Sequence, residues 1–376
     1  MSFVNTIPYL LFIAVFAGLG IPWRIATEQK KFYIGLVCFV LYVLFWGLRG
    51  YVGYDWITYK SSFDECGITN LTFDYEFGFS LLMLACKLIA NNFHFFLFTC
   101  TIINALLLFR FFLKWNLNLP LGICLFLCIG GLLYQVNFIR NIFSLLIFIN
   151  TIDCIYKRKP WRFFLLNILG AMFHISSLFY LLVYPFFHKK CPKKVFLIIL
   201  VVSNIIPFLD MRYIEYILNV ISDFLDTKLA KMLNDYFIGY LSSYQLVLSI
   251  AYVERFITGL LVYCFYDKLL ALRKENVIFI NSFLLYYIMF FVFSEYAIIG
   301  TRMANLFVFC YWILWIDLFF VIKSIICKYI YSIIISFYCL TRFCGTVCLD
   351  CFKYDNVLFG IKPYSERVLL FQNNDE

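Results

Sequence analysis

Four arginines stand where an apolar chain has least reason to keep them. Arg49, Arg140 and Arg302 mark the edges of long apolar runs, and Arg255 lies inside one, next to Glu254. A guanidinium is a rigid fork of donors that fits phosphate or carboxylate oxygens. Several such forks suit a polyanion, with pyrophosphate first in line. Arg49 opens the stretch Arg49-Gly50-Tyr51-Val52-Gly53-Tyr54-Asp55-Trp56-Ile57-Thr58-Tyr59. Its glycines allow close backbone approach, and Asp55 could hold the arginine or accept a proton. The alternative is plain anchoring, because Arg, Tyr and Trp are common at membrane interfaces and a long side chain can snorkel.

Carboxylates and histidine complete the reactive set. Glu76, in Glu76-Phe77-Gly78-Phe79, opens an apolar stretch. It reads either as a first-turn acid favoured by a helix dipole or as a carboxylate at a cavity mouth. His174, in Phe173-His174-Ile175-Ser176-Ser177, reads as a general base, a donor to phosphate, or a satisfied polar residue at a kink. Glu254 and Arg255 are adjacent, so they do not share a helix face and need separate partners. A structural ion pair is the alternative to function there. No His-x-x-x-His, Asp-x-Asp or Glu-x-x-His spacing occurs, and Cys344, Cys348 and Cys351 lack a fourth ligand, so no metal is expected. Walker, Rossmann and serine-elbow motifs are absent, which disfavours nucleotide-driven transport.

The elements that must position these residues are membrane helices. Of the 376 residues 64% are hydrophobic and 14% charged, with a mean hydropathy of +0.88. Soluble domains carry about a quarter charged residues. The fold class is therefore an all-α polytopic helix bundle. Apolar runs near 5–22, 32–48, 93–113, 119–134, 138–156, 195–210, 246–266, 277–294, 303–322 and 324–341 predict 10–12 transmembrane helices, at about 20 residues per crossing. Most of the 15 cysteines lie singly in these runs and act as small hydrophobes. The net charge of +9 follows from short basic loops rather than from nucleic-acid binding. No cleavable signal peptide is expected, since the first apolar run has no basic residue before it.

Basic clusters at Arg24/Lys30/Lys31, Arg110/Lys114, Lys157–Arg162, Lys189–Lys194 and Lys268–Lys274 predict cytoplasmic loops. The acidic stretches 49–76 and 211–245, and the N-terminus, are then outside. Residues 1–341 form the membrane domain and 342–376 a tail whose side is open. Parity and length make 77–90 a re-entrant or interfacial helix. The stretch 163–187 has basic clusters at both ends and predicts a broken helical hairpin, with its break at His174 and Ser176 or Ser177 as a cap.

In this order the pieces resemble the EpsG-like family of bacterial polysaccharide polymerases, related in role to the Wzy O-antigen polymerases. The resemblance rests on Arg49, Gly53, Asp55 and Tyr59 in Arg-x-x-x-Gly-x-Asp-x-x-x-Tyr, then Glu76-x-Gly78-Phe79, Ile139-Arg140-Asn141 and Phe173-His174-x-Ser176-Ser177. Asn141 stands where members usually carry Gln, and Tyr54 where Thr is common. The resemblance implies a bacterial inner-membrane glycosyltransferase, with a GT-C-like architecture possible, that acts at the periplasmic face without a cofactor. Donor and acceptor are glycans on undecaprenyl pyrophosphate, which is also the leaving group, and a chain-length regulator protein is a candidate partner. Arg49, Arg140, Arg302 and Arg255 would bind pyrophosphate, with Tyr59 and Glu254 as other substrate contacts. His174, Asp55 and Glu76 are the candidate bases. An O-antigen ligase, a lipid-linked oligosaccharide flippase, a membrane acyltransferase and an inactive assembly protein are the alternatives. Tyr236, Tyr240 and Tyr244 could stack on the acceptor glycan.

Overall fold

The computed structural model describes residues 3–67, 75–115, 117–209, 213–214, 216–217, 220 and 249–372, and among them the regular elements are all helical. Asp74, Asp223, Asp226, Asp235, Tyr236, Tyr240 and Tyr244 lie outside the described residues. The chain divides into two compact units: Met1–Tyr184 with Tyr329–Glu376, and Pro185–Lys328.

In the first unit α1 (Ile7–Ile25) and α2 (Glu28–Tyr42) lead into a wide turn at Val43–Gly47, followed by α3 (Trp56–Glu65) and α4 (Phe77–Ile89). Then come α5 (Phe93–Lys114), α6 (Leu119–Phe126) and α7 (Leu132–Val136), joined through a non-helical step at Ile129 and Gly130. Next are α8 (Ile139–Asn150), α9 (Ile152–Tyr156), α10 (Pro160–Ala171) and α11 (Ser177–Phe187), whose end passes into the second unit. That unit holds α12 (Lys193–Ile205), α13 (Ile250–Cys264), α14 (Tyr266–Leu272), α15 (Asn276–Val292), α16 (Ala297–Asn305) and α17 (Phe309–Val321). The chain ends with α18 (Ile325–Val347) and α19 (Tyr364–Gln372).

Among the described residues six helices are long and apolar enough to cross a bilayer, and a seventh span arises if the pair Ile299–Asn305 and Phe309–Val321, bent by 63°, counts as one. Counting apolar runs gave 10–12. The difference is helix length: the runs at 195–210, 246–266 and 277–294 are carried by helices of 13, 15 and 17 residues, below the ~20 of a straight crossing.

Helix α5 is central in the first unit, packing on the Val43–Gly47 turn, α4 and α8. Lipid offers no apolar driving force between helices, so close packing and interhelical hydrogen bonds hold them, the latter at about 0.6 kcal/mol each. Asn150 Nδ2 donates to Leu107 O at 2.9 Å, and Asn118 Nδ2 to Gly20 O at 2.8 Å.

The two ends of this unit differ. One carries Lys114 paired with Asp153 at 2.6 Å, and Lys157 with the same carboxylate at 3.8 Å. The other gathers the starts of α4, α5 and α8 with the Arg49–Asp55 segment, through contacts described below. Helix α4 begins and ends at this second end. Glu76 at its start meets Arg140, while Lys87 near its close donates to Asp64 O and Cys66 O, both at 2.7 Å, at the C-terminal end of α3. It therefore does not pass through the unit, as its 13 residues require.

Helices α10 and α11 form the hairpin. The Tyr184 ring near the close of α11 lies 4.8 Å from Phe163 and 5.4 Å from Phe164 at the start of α10. The chain reverses at Met172–Ser176, where His174 N donates to Gly170 O and Ser177 N to His174 O, both at 3.1 Å. The break falls where the sequence placed it. Ser177 begins α11, but its hydroxyl is buried without a partner among the described residues, so Ser177 is no side-chain cap.

The C-terminal region is a strap on the first unit rather than a separate tail. Helix α18 continues to Val347, past the boundary at 341. Beyond it, Asp350 accepts from Asn5 at 3.0 Å, Phe352 O from Tyr9 at 2.7 Å and Cys351 O from Gly53 N at 2.9 Å. Asp355 O accepts from Gly50 N at 3.1 Å, and Tyr354 stacks on Phe45 at 4.3 Å. The strap thus lies at the Arg49 end. Arg367, 2% exposed, holds it closed by pairing with Asp355 at 2.9 Å. Arg367→Ala removes the cation from that largely enclosed carboxylate and leaves it only the Lys362 N–H at 2.8 Å, which costs at most about 3–5 kcal/mol. A large drop in thermal unfolding temperature in detergent is the expected readout.

Candidate active site

Three elements converge on one carboxylate. Glu76 precedes the first residue of α4; its Oε2 accepts from Arg140 NH1 at 2.7 Å and its Oε1 from Ile175 N at 3.0 Å. The first free N–H groups of α4 face the hairpin break, where Met172 O accepts from Gly78 N at 2.8 Å and from Phe79 N at 3.2 Å. This approach requires a glycine: a Cβ on Gly78 would lie 2.9 Å from both Met172 O and Met172 Cβ. Arg140, in the first turn of α8, lies with its guanidinium 4.3 Å from the centre of the Tyr75 ring. Its Nε is buried without a partner among the described residues. Phe173 stacks on Phe143 of α8 at 5.0 Å, which fixes the break laterally.

Burial pushes the Glu76 carboxyl up, but backbone N–H donors, that of Ile175 included, and the charges of Arg140 and His174 outweigh it, so the carboxyl titrates below its ordinary value. A lowered native value means that the ionised group stabilises the docked hairpin above the ordinary carboxylate range, and that this stability is lost as pH falls through the lowered value. Relative to its intrinsic rate, the Ile175 amide should accordingly be protected at neutral pH and lose that protection on acidification. In Glu76→Gln its exchange, corrected for the intrinsic rate, should not change with pH over that range.

Tyr59 and Asp55 border this cluster. Tyr59, buried on α3, interacts with Arg140 through its hydroxyl, and its ring lies 5.7 Å from Tyr75 and 5.8 Å from Phe79. Asp55 immediately precedes α3 without a side-chain capping hydrogen bond, and is near enough for its charge to raise the Tyr59 hydroxyl, a smaller effect than that of burial. Gly53, with φ +93°, turns the chain so that Tyr54 N donates to Asn137 Oδ1 at 2.8 Å. One end of the first unit thus brings Asp55, Tyr59, Glu76, Arg140 and His174 together. Among the described residues no group of three or more His, Cys, Asp or Glu side chains could hold a metal ion.

The family model of the EpsG family matches residues 32–359. This chain belongs to the EpsG family. The family is one of multi-pass membrane proteins linked to exopolysaccharide synthesis. No curated protein and no solved structure matches the chain significantly. The matched stretch of this EpsG-family protein contains the whole cluster and the first part of the strap that lies beside it.

Arg49 has a different environment from Arg140. It is 3% exposed; its NH2 donates to Gln135 O at 3.0 Å, and its NH1 to Trp46 O and to Thr101 Oγ1. Trp46 closes the α2 segment and Gln135 lies in the last turn of α7, so Arg49 takes up carbonyls that two helix ends leave without intrahelical donors. All these partners are neutral. The guanidinium expected to face pyrophosphate is thus occupied inside the EpsG-family bundle, joining α2, α5 and α7.

The remaining candidates belong to the second unit. Arg255, 2% exposed, donates from Nε to Tyr286 OH at 3.0 Å and from NH1 to Ala251 O at 2.7 Å, with Phe290 under its guanidinium at 3.7 Å. Glu254 accepts from Thr258 at 2.9 Å, so the two neighbours have separate partners. Arg302 is exposed in the last turn of α16, before the bend, rather than at the start of a straight span. Sequence reasoning missed Tyr75, Asn137 and the Met172 carbonyl. Tyr75 adjoins Glu76 and Asn137 precedes Arg140 by three residues, but nothing in residue type distinguishes them before the helices are packed.

Proposed function

We propose that this EpsG-family protein polymerises glycan repeat units carried on undecaprenyl pyrophosphate, at the periplasmic face of the bacterial inner membrane. The observation that carries the reading is Arg140: a cation held by Glu76 and Tyr75, with an unpartnered buried Nε, beside the hairpin break. Orientation is supported by Lys114 and Lys157 at the opposite end of the unit, which the positive-inside rule assigns to the cytoplasm. A sugar hydroxyl of one lipid-linked unit attacks the anomeric carbon of another. The bond from that carbon to the pyrophosphate oxygen breaks, and undecaprenyl pyrophosphate leaves with the electron pair. Arg140 stabilises the charge that develops on it. The hydroxyl proton passes to a base, for which Asp55 and His174 are the candidates. Glu76 is the weakest of the three, because both its oxygens are engaged and its carboxyl is a poor acceptor. Arg302 and Arg255 are further cations for the same class of ligand, and a chain-length regulator protein is the proposed partner.

The test is a deletion strain whose surface polysaccharide is separated by size. Loss of the polymer ladder with single repeat units still exported supports the polymerase. Polymer retained on the lipid carrier but not transferred would indicate a ligase. Single units accumulating on the cytoplasmic face would indicate a flippase.

A further inference from the structure

His174 sits at the turn of the hairpin, half-buried, where its ring can be read for the position of its proton. Ser176 N lies 3.2 Å from His174 Nδ1 in hydrogen-bonding geometry, and Ser176 Oγ lies 2.7 Å from the same nitrogen. A backbone N–H can only donate. Nδ1 therefore accepts, and the neutral imidazole carries its proton on Nε2. A base must present a lone pair to the hydroxyl it deprotonates, and here the lone pair faces Ser176. The ring's N–H is then the one on Nε2.

We infer that His174 acts as a hydrogen-bond donor through Nε2 to an oxygen of the pyrophosphate, that Ser176 is the residue positioning it, and that Asp55 accepts the hydroxyl proton. The inference rests on the polymerase reading and gives the roles within it. The surroundings agree with a donor. His174 shares its cluster with Arg140, the other candidate donor to the anion, and with Glu76, whose two oxygens are already taken by Arg140 and Ile175 N. Asp55 is half-exposed at the start of α3 and lies near Tyr59, which contacts Arg140.

Two isosteres separate the roles. Gln places an amide N–H near the position of Nε2, whereas Asn places one near Nδ1, and neither is a base. The purified full chain in nanodiscs is titrated with undecaprenyl pyrophosphate, and the same variants are scored for ladder formation in the deletion strain. His174→Gln should bind within about threefold of the parent and retain polymer, since the donor survives. His174→Asn and His174→Ala should bind at least ~10-fold more weakly and lose about 100-fold in rate, the effect of removing one charge-stabilising donor. Ser176→Ala should fall between, and Ser176→Thr, which restores the hydroxyl, should recover. A His174→Gln protein that binds normally but forms no polymer would show that His174 is the base and overturn the inference. Equal loss of binding in the Gln and Asn variants would also overturn it. A parent protein that does not bind undecaprenyl pyrophosphate removes the pyrophosphate reading itself, and the deletion strain tests the polymerase reading independently. If His174→Asn does not fold, His174→Ala and the Ser176 pair give the comparison.

Discussion

Arg140→Ala should reduce polymer formation by about 100-fold or more while the protein still reaches the membrane. Removing one preorganised donor from a developing oxyanion typically costs a factor of 10²–10³, and Arg140 supplies a charged fork. Glu76 fixes one arm at 2.7 Å and Tyr75 lies under the plane, so the guanidinium is oriented before substrate arrives. The fold does not depend on Arg140 to the same degree. Glu76 would keep the Ile175 N–H, and Met172 O would keep both N–H groups of α4. Arg140→Lys retains a point charge but not the fork, and an intermediate rate is expected. The measurement is ladder length in the complemented deletion strain, with protein amount read by immunoblot of the membrane fraction. A full-length ladder in Arg140→Ala would remove Arg140 from the reaction.

Gly53→Val should give the largest structural defect of any single substitution in the motif region. At φ +93° an L side chain costs about 1–2 kcal/mol. The added Cβ would also fall 2.2 Å from Asn137 Oδ1 and 2.3 Å from a Val136 methyl, where no atom fits. Relief means moving the segment away from α7. That breaks the Tyr54–Asn137 hydrogen bond, pulls Gly53 N from Cys351 O, and shifts Asp55 and α3 relative to Arg140. Loss of several kcal/mol and of activity together is the expected result. Thermal unfolding in detergent and the ladder assay check it. Val52→Ala, one residue earlier with no such conformational demand, serves as the comparison, with a smaller loss of stability set by its own burial.

Pairing Gly53 with Arg140 shows where the sequence was informative. Membrane residence, helical class, the hairpin in 163–187 and the short helix at 77–90 were all legible. Apolar run lengths and flanking lysines obey one-dimensional rules: a helix rises a fixed distance per residue, and cations stay with the cytoplasmic loops. The motif residues Glu76, Arg140 and His174 stood out because charge is costly in such a chain and has to be explained.

Tertiary structure alone decided which of these residues share a site. Arg49 and Arg140 look alike in sequence, each an arginine at a helix edge. Packing put one among neutral carbonyls at two helix ends and the other against Glu76 and Tyr75, and so gave them different surroundings. The strap at 350–372 was invisible for the same reason: hydrogen bonds such as Gly53 N to Cys351 O join residues about 300 positions apart, and no periodicity records them. Side-chain type and spacing determine what a helix can bury and where it must end. Which polar groups meet depends on how helices approach one another, and that is fixed by close contacts such as Gly78 on Met172, which exist only once the chain has folded.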